Sequence, residues 1–120
     1  MDDLPIMNKK EIQDVLLQIG MPANLRGFAY LTSAEQLVLD NPAELYKITG
    51  LYADVAHRHK TTVIRVERAI RHAVEVAWLR GNYDVLKELF KNSVNPSVGR
   101  PTNSQFIASL YFYLDNNRNK

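Results

Sequence analysis

The run Lys60 to Trp78, KTTVIRVERAIRHAVEVAW, constrains the fold of this chain more than any other segment. Val63, Val66, Ile70, Val74 and Ala77 recur three or four residues apart, the spacing that places side chains on one side of an α-helix. Arg65, Arg68 and His72 share another side, with Glu67 and Arg71 beside them as an i, i+4 pair. Charge is concentrated here. Residues 58–71 hold five Lys/Arg against Glu67 alone, a net of +4, whereas the whole chain is only +2 and the remainder therefore −2. A positive stripe on one helix of a mildly acidic protein is the footprint of a groove-reading helix.

With 120 residues the chain fits one domain and can bury a real core. Its 46% hydrophobic and 23% charged residues place it among soluble globular proteins and not disordered ones. The absence of cysteine excludes a disulfide framework and a thiolate zinc site. No apolar stretch approaches the roughly 18–20 residues of a membrane span, and the start, MDDLPIMNKK, lacks the apolar core of a signal peptide. The economical expectation is a cytoplasmic protein without membrane attachment.

Helical punctuation recurs along the chain, with no internal repeat and no low-complexity segment. Asn8 followed by Glu11 resembles a helix start, Ile12, Val15, Leu16 and Ile19 mark one side, and Gly20 and Pro22 end the element. Gly27 to Leu39 predicts a second helix, stopped by Asp40, Asn41 and Pro42. Ala43 to His59 is helical in character, with a break or turn expected at Gly50. The basic helix follows, capped by Thr61 or Thr62, and is expected to close with a left-handed stop at Gly81. Val85, Leu86, Leu89 and Phe90 form a short apolar helix, and Asn92 to Pro101 reads as a loop. Thr102 with Gln105 makes a capping box for a last helix through Phe106, Ile107, Leu110 and Leu114, on which Tyr111, Phe112 and Tyr113 read as core plus rim. The prediction is all-α, about six helices in a single domain over residues 1–120, frayed at 1–8 and 116–120.

Several segments resemble one family, the DNA-binding effector domain of the stage 0 sporulation master regulator. They are Gly20-Met21-Pro22-Ala23, Arg26 to Leu31 (RGFAYL), Arg65 to Ala73 (RVERAIRHA) with its continuation through Trp78 to Gly81, and Pro101-Thr102-Asn103-Ser104 followed by Phe106-Ile107-Ala108. The resemblance spans roughly residues 10–110. It implies a six-helix domain with a helix-turn-helix, winged-helix-like in class but without strands. Leu45 to His59 would be the supporting helix and Thr62 to Leu79 the recognition helix. It also implies binding to short promoter boxes, a homodimer on tandem sites, contact with the RNA polymerase sigma subunit, and base contacts from Arg65, Glu67 and Arg68. The resemblance departs at Ile64, where the family has a small polar residue, and around Gly50. The family's phosphoacceptor receiver domain is not expected in this chain, which leans toward a stand-alone relative over an excised effector.

The chemistry of the residues is consistent with that implication. Arginine grips guanine O6 and N7 with two hydrogen bonds, and glutamate accepts from the cytosine amino group. Lys60, Thr61, Thr62, Arg71 and His72 are the candidates for phosphate contact, the first three where helix amides can also meet a phosphate. Trp78 is read as a core anchor whose indole N–H finds a carbonyl. His57 and His59, two apart on a helix, point to different sides, so no metal site and no cofactor are expected. No nucleophile–base pair or carboxylate set stands out, and an enzyme is not expected. The leading expectation is a sequence-specific, double-stranded-DNA-binding transcription regulator. Its rival is a module of the same fold that binds another regulator or the polymerase without reading DNA.

Overall fold

The computed structural model describes the backbone of residues 3–90 and 99–118, with side chains for 9–90 and 99–117. Six α-helices occur in the order α1 (Asp3–Ile19), α2 (Arg26–Asp40), α3 (Ile48–His59), α4 (Val63–Arg80), α5 (Tyr83–Phe90) and α6 (Asn103–Arg118). A 3-10 turn, Pro42–Tyr46, precedes α3. There is no strand among the described residues, in keeping with the all-α expectation.

The core is the sum of the apolar stripes read from the sequence. Ile12, Leu16 and Ile19 of α1, Val66, Ile70, Val74 and Ala77 of α4, and Phe106, Ile107, Leu110 and Leu114 of α6 are all buried, while Val63 sits half-buried at the rim. Helix α2 lies centrally, packing on α1, α3, α4 and α6. Its approach to α4 is closest at Gly27, where a Cβ would stand 2.3 Å from the Ala69 carbonyl oxygen and 2.6 Å from the Ala73 Cβ. Only a residue without a side chain lets the two backbones come so near. Glu35 of α2 is wholly buried, and neither carboxylate oxygen has a hydrogen-bond partner among the described residues. Burial, which penalises the charged form, holds its carboxyl well above the usual carboxylate range.

Several local expectations are corrected. Helix α1 already runs from Asp3, so Asn8 lies within it and is not its start. Gly50 does not interrupt the chain: it is exposed in the first turn of α3, where an added Cβ would meet nothing nearer than the Lys47 Cβ at 3.9 Å. The interruption is at Lys47, between the 3-10 turn and α3, so the supporting helix is Ile48–His59 and not Leu45 to His59. Asn41 initiates that turn by accepting from the Ala43 amide, with Pro42 beginning it. Gly81 is not left-handed but extended (φ −74°, ψ 171°), and it is required for space: a Cβ would fall 2.1 Å from the Ala77 carbonyl oxygen and 2.5 Å from that of Ile19. The left-handed glycine is Gly20 (φ 101°), which ends α1 as read. Residues 92–98 of the expected loop lie outside the described residues, as do 1–2 and 119–120 of the expected frayed ends.

Trp78 does pack at the core edge, edge-on to Phe90 with ring centroids 5.1 Å apart. Its indole N–H, however, is buried without a hydrogen-bond partner among the described residues, contrary to the carbonyl expected for it. The aromatic trio of α6 divides as read: Tyr111 buried, Tyr113 half-buried and Phe112 exposed.

Candidate nucleic-acid interface

Helices α3 and α4 are joined by Lys60-Thr61-Thr62, a turn of helix-turn-helix length. The end of α3 closes with Lys60 in the left-handed region (φ 54°), the one non-glycine residue there among those described. The Lys60 amide donates to the His57 carbonyl at 3.3 Å and the Thr61 amide to the Ala56 carbonyl at 2.9 Å, the pairing of a Schellman stop. Thr62, not Thr61, caps α4: its Oγ1 accepts from the Arg65 amide at 3.2 Å. The Thr62 hydroxyl keeps its own hydrogen to donate outward, whereas the Thr61 amide is already engaged.

His59 secures this turn from behind. It stands edge-on to Tyr30 at 4.9 Å, and its Nε2 lies 2.8 Å from the Ser33 Oγ on α2. Burial, then the charges of Arg58 and Lys9, hold the imidazole below its ordinary pKa, so it is neutral at pH 7. A serine–histidine contact has the composition of a nucleophile–base pair, and the sequence reading did not see it. Here the hydroxyl is buried and the charges beside the imidazole are cations, which weaken a base where a triad's carboxylate would strengthen it. The contact ties α2 to the end of α3.

With its apolar stripe docked, α4 turns Ile64, Arg65, Arg68, Arg71 and His72 to solvent. Ile64 is 62% exposed. The three residues expected to form one reading face do not stand together. At about 100° per residue, Arg65 and Glu67 are roughly 160° apart around the axis, with Arg68 between them on the outermost line. Arg65, Arg68 and His72 share the outward side. Glu67 is half-buried and pairs with Arg71 at 3.5 Å, and both turn toward α6.

On that flank lies an open polar pocket of about 510 Å³, whose lining includes Tyr52, Glu67, Arg71, Arg100, Thr102 and Asn103. Its floor is made by the start of α6, where the predicted capping box is present in both directions. The Gln105 amide donates to the Thr102 Oγ1 at 3.1 Å, and the Thr102 amide donates to the Gln105 Oε1 at 2.9 Å. Asn103 Nδ2 donates to the Tyr52 hydroxyl at 3.0 Å and to the Glu67 carbonyl at 3.1 Å. Burial raises the Tyr52 phenol above its ordinary value and keeps it protonated. Arg100, which the sequence reading passed over, adds a cation at the mouth and pairs with Glu75 at 3.1 Å. Its available signal was its place two residues before a capping threonine.

The set of Lys60, Thr61, Thr62, Arg65, Arg68 and His72 is thus brought to one end and one side of α4, with Glu67 and Arg71 on the flank beside it. Among the described residues no group of three or more His, Cys, Asp or Glu could hold a metal ion, and no helix is long and apolar enough to cross a membrane. The family described as sporulation initiation factor Spo0A C terminal matches residues 12–114, from the first to the last core residue among those described. That match takes in the helix-turn-helix, the polar pocket and the capped start of α6 alike. The chain belongs to the Spo0A C-terminal family and is a DNA-binding domain of sporulation regulators.

Proposed function

We propose that the chain reads a specific duplex sequence by laying the N-terminal half of α4 in the major groove, as a transcription regulator of sporulation initiation. The observation that carries this is the division of α4: Val66, Ile70, Val74 and Ala77 are buried while Arg65, Arg68 and His72 project outward from a short, capped turn. Arg65 and Arg68 read base edges, and Glu67 joins them from the flank by exchanging its Arg71 partner for a cytosine amino group. Lys60, Thr61, Thr62, Arg71 and His72 hold phosphates on either side. Two copies act on tandem boxes, contact with the polymerase sigma subunit follows DNA binding, and residues 1–120 work as one DNA-binding domain. None of this calls for a cofactor or for catalysis.

The test is a duplex enriched by the chain from a random-sequence pool, compared with its scrambled counterpart across a salt series. Specific binding that weakens steeply with salt is expected. Arg65→Ala relaxes specificity, whereas Lys60→Ala weakens all sequences alike. Equal affinity for both duplexes would sink the base-reading claim.

One observation favours the rival, a protein-interaction module. Ile64, at the leading edge of α4, is 62% exposed where a phosphate-bonding group would serve DNA better, and Leu79 further along is 86% exposed. Absence of binding to either duplex at low salt would select it.

A further inference from the structure

The segment Pro101-Thr102-Asn103-Ser104 has no part in the DNA contacts above, yet the structure builds it with care. Pro101 is buried, the Thr102–Gln105 box locks the first turn of α6, and Asn103 opens the helix half-buried. An amide nitrogen has two hydrogens, and Asn103 places one on each helix of the helix-turn-helix: on the Tyr52 hydroxyl of α3 and on the Glu67 carbonyl of α4. A carbonyl only accepts, so the Glu67 contact fixes which end of the Asn103 amide faces the two helices. The anchor point on α4 lies between Arg65 and Arg68, within the turn that reads bases.

We infer that Asn103 is a specificity-determining positioning residue: by bridging Tyr52 and the Glu67 carbonyl from a third helix, it sets the rotation of α4 against α3 and so aims Arg65, Glu67 and Arg68, without touching DNA itself. This rests on α4 being the recognition helix. Base reading tolerates errors of only about 0.5 Å and 10–20°, whereas attraction to phosphates is long-ranged and forgiving. Loss of the bridge therefore degrades discrimination before it degrades general affinity.

The experiment measures affinity for the enriched and the scrambled duplex, at several salt concentrations, for folded wild type, Asn103→Ala, Asn103→Asp and Tyr52→Phe. Asn103→Ala and the nearly isosteric Asn103→Asp, which has no hydrogens to donate, each reduce the ratio of the two affinities by about tenfold, the scale of one base contact. For Asn103→Ala, scrambled-duplex affinity and salt slope stay within about twofold of wild type, a pattern that a merely destabilised fold does not produce, whereas the added negative charge of Asn103→Asp also lowers the affinity for both duplexes. Tyr52→Phe removes one arm of the bridge and gives a smaller drop in the ratio, and it adds nothing in the Asn103→Ala background. An unchanged ratio in folded Asn103→Ala, or a parallel loss on both duplexes, overturns the inference. Should Asn103→Ala fail to fold, Tyr52→Phe decides, because it loses only a hydroxyl. A wild type that discriminates while these variants match it leaves the recognition-helix reading standing and this one overturned. A wild type that treats both duplexes alike overturns both.

Discussion

At the start of α4 the chain turns through Lys60, left-handed at φ 54° and exposed; at its end it turns through Gly81, extended and pressed against the carbonyls of Ala77 and Ile19. Glycine is the residue that left-handed backbone favours, yet the left-handed position holds lysine. The glycine sits instead where any L-residue has suitable dihedral angles but no side chain has room. The first turn is open to solvent and carries a conformational cost of about 1–2 kcal/mol for its charge. The second is governed by packing alone. The contrast separates a turn kept for what it presents from a turn kept for what it must avoid.

The largest effect is expected on the packed side. Gly81→Ala forces a Cβ into two backbone oxygens that cannot rotate away, and should destabilise the domain by about 3 kcal/mol or more. Urea denaturation checks this. A midpoint close to wild type would mean that α1 and α4 can separate at no cost, and the contrast would collapse.

Glu35 sharpens the same side, because it tests how strictly the core excludes charge. Its folded pKa is raised above that of the unfolded chain, so the folded state binds more protons. Stability is accordingly greatest below the ordinary carboxylate pKa near 4.3 and declines as pH rises above it, up to the folded value. Glu35→Leu removes an unpartnered buried carboxyl and should raise stability at pH 8 by about 1–3 kcal/mol, with a smaller gain at pH 4. Equal gains at both pH values would show that Glu35 ionises freely in the fold.

The smallest change in stability belongs to the open turn. Lys60→Gly relieves the left-handed strain but loosens the unfolded chain, for a net gain of about 0.5 kcal/mol. The same substitution should weaken binding to every duplex and lower the salt slope by about 1. Opposite signs for folding and binding would establish that this turn is held for contact. A loss of both would place Lys60 with Gly81 as a structural residue.

What was legible in the sequence was whatever depends on neighbours three or four residues away. The stripe from Val66 to Ala77, the Thr62 cap and the reciprocal Thr102–Gln105 box are all of this kind, and each is present in the structure. What could not be read depends on distant chain. Gly81 looks like a stop signal until Ile19 is brought against it, and Glu35 looks like a surface charge until other helices cover it. Gly50 misled in the other direction, since an exposed first turn tolerates glycine at a cost of about 1 kcal/mol. In the site, the cations of α4 were evident, but the sideways placement of Glu67 and the grip of Asn103 on it required α6 to be in place.

The crossing of Gly20 and Gly81 reaches further than shape. A Cβ on Gly20 would stand 3.0 Å from the Gly81 Cα, so the α1–α2 and α4–α5 loops meet main chain to main chain. The Asn82 amide, outside any helix, donates across this crossing to the Ile19 carbonyl at 2.9 Å. The bond belongs to neither helix ladder, and it opens when the end of α1 and the α4–α5 turn move apart. The exchange of this one amide hydrogen with solvent therefore reports how often the end of α1 parts from the α4–α5 turn, a join that no single helix makes by itself.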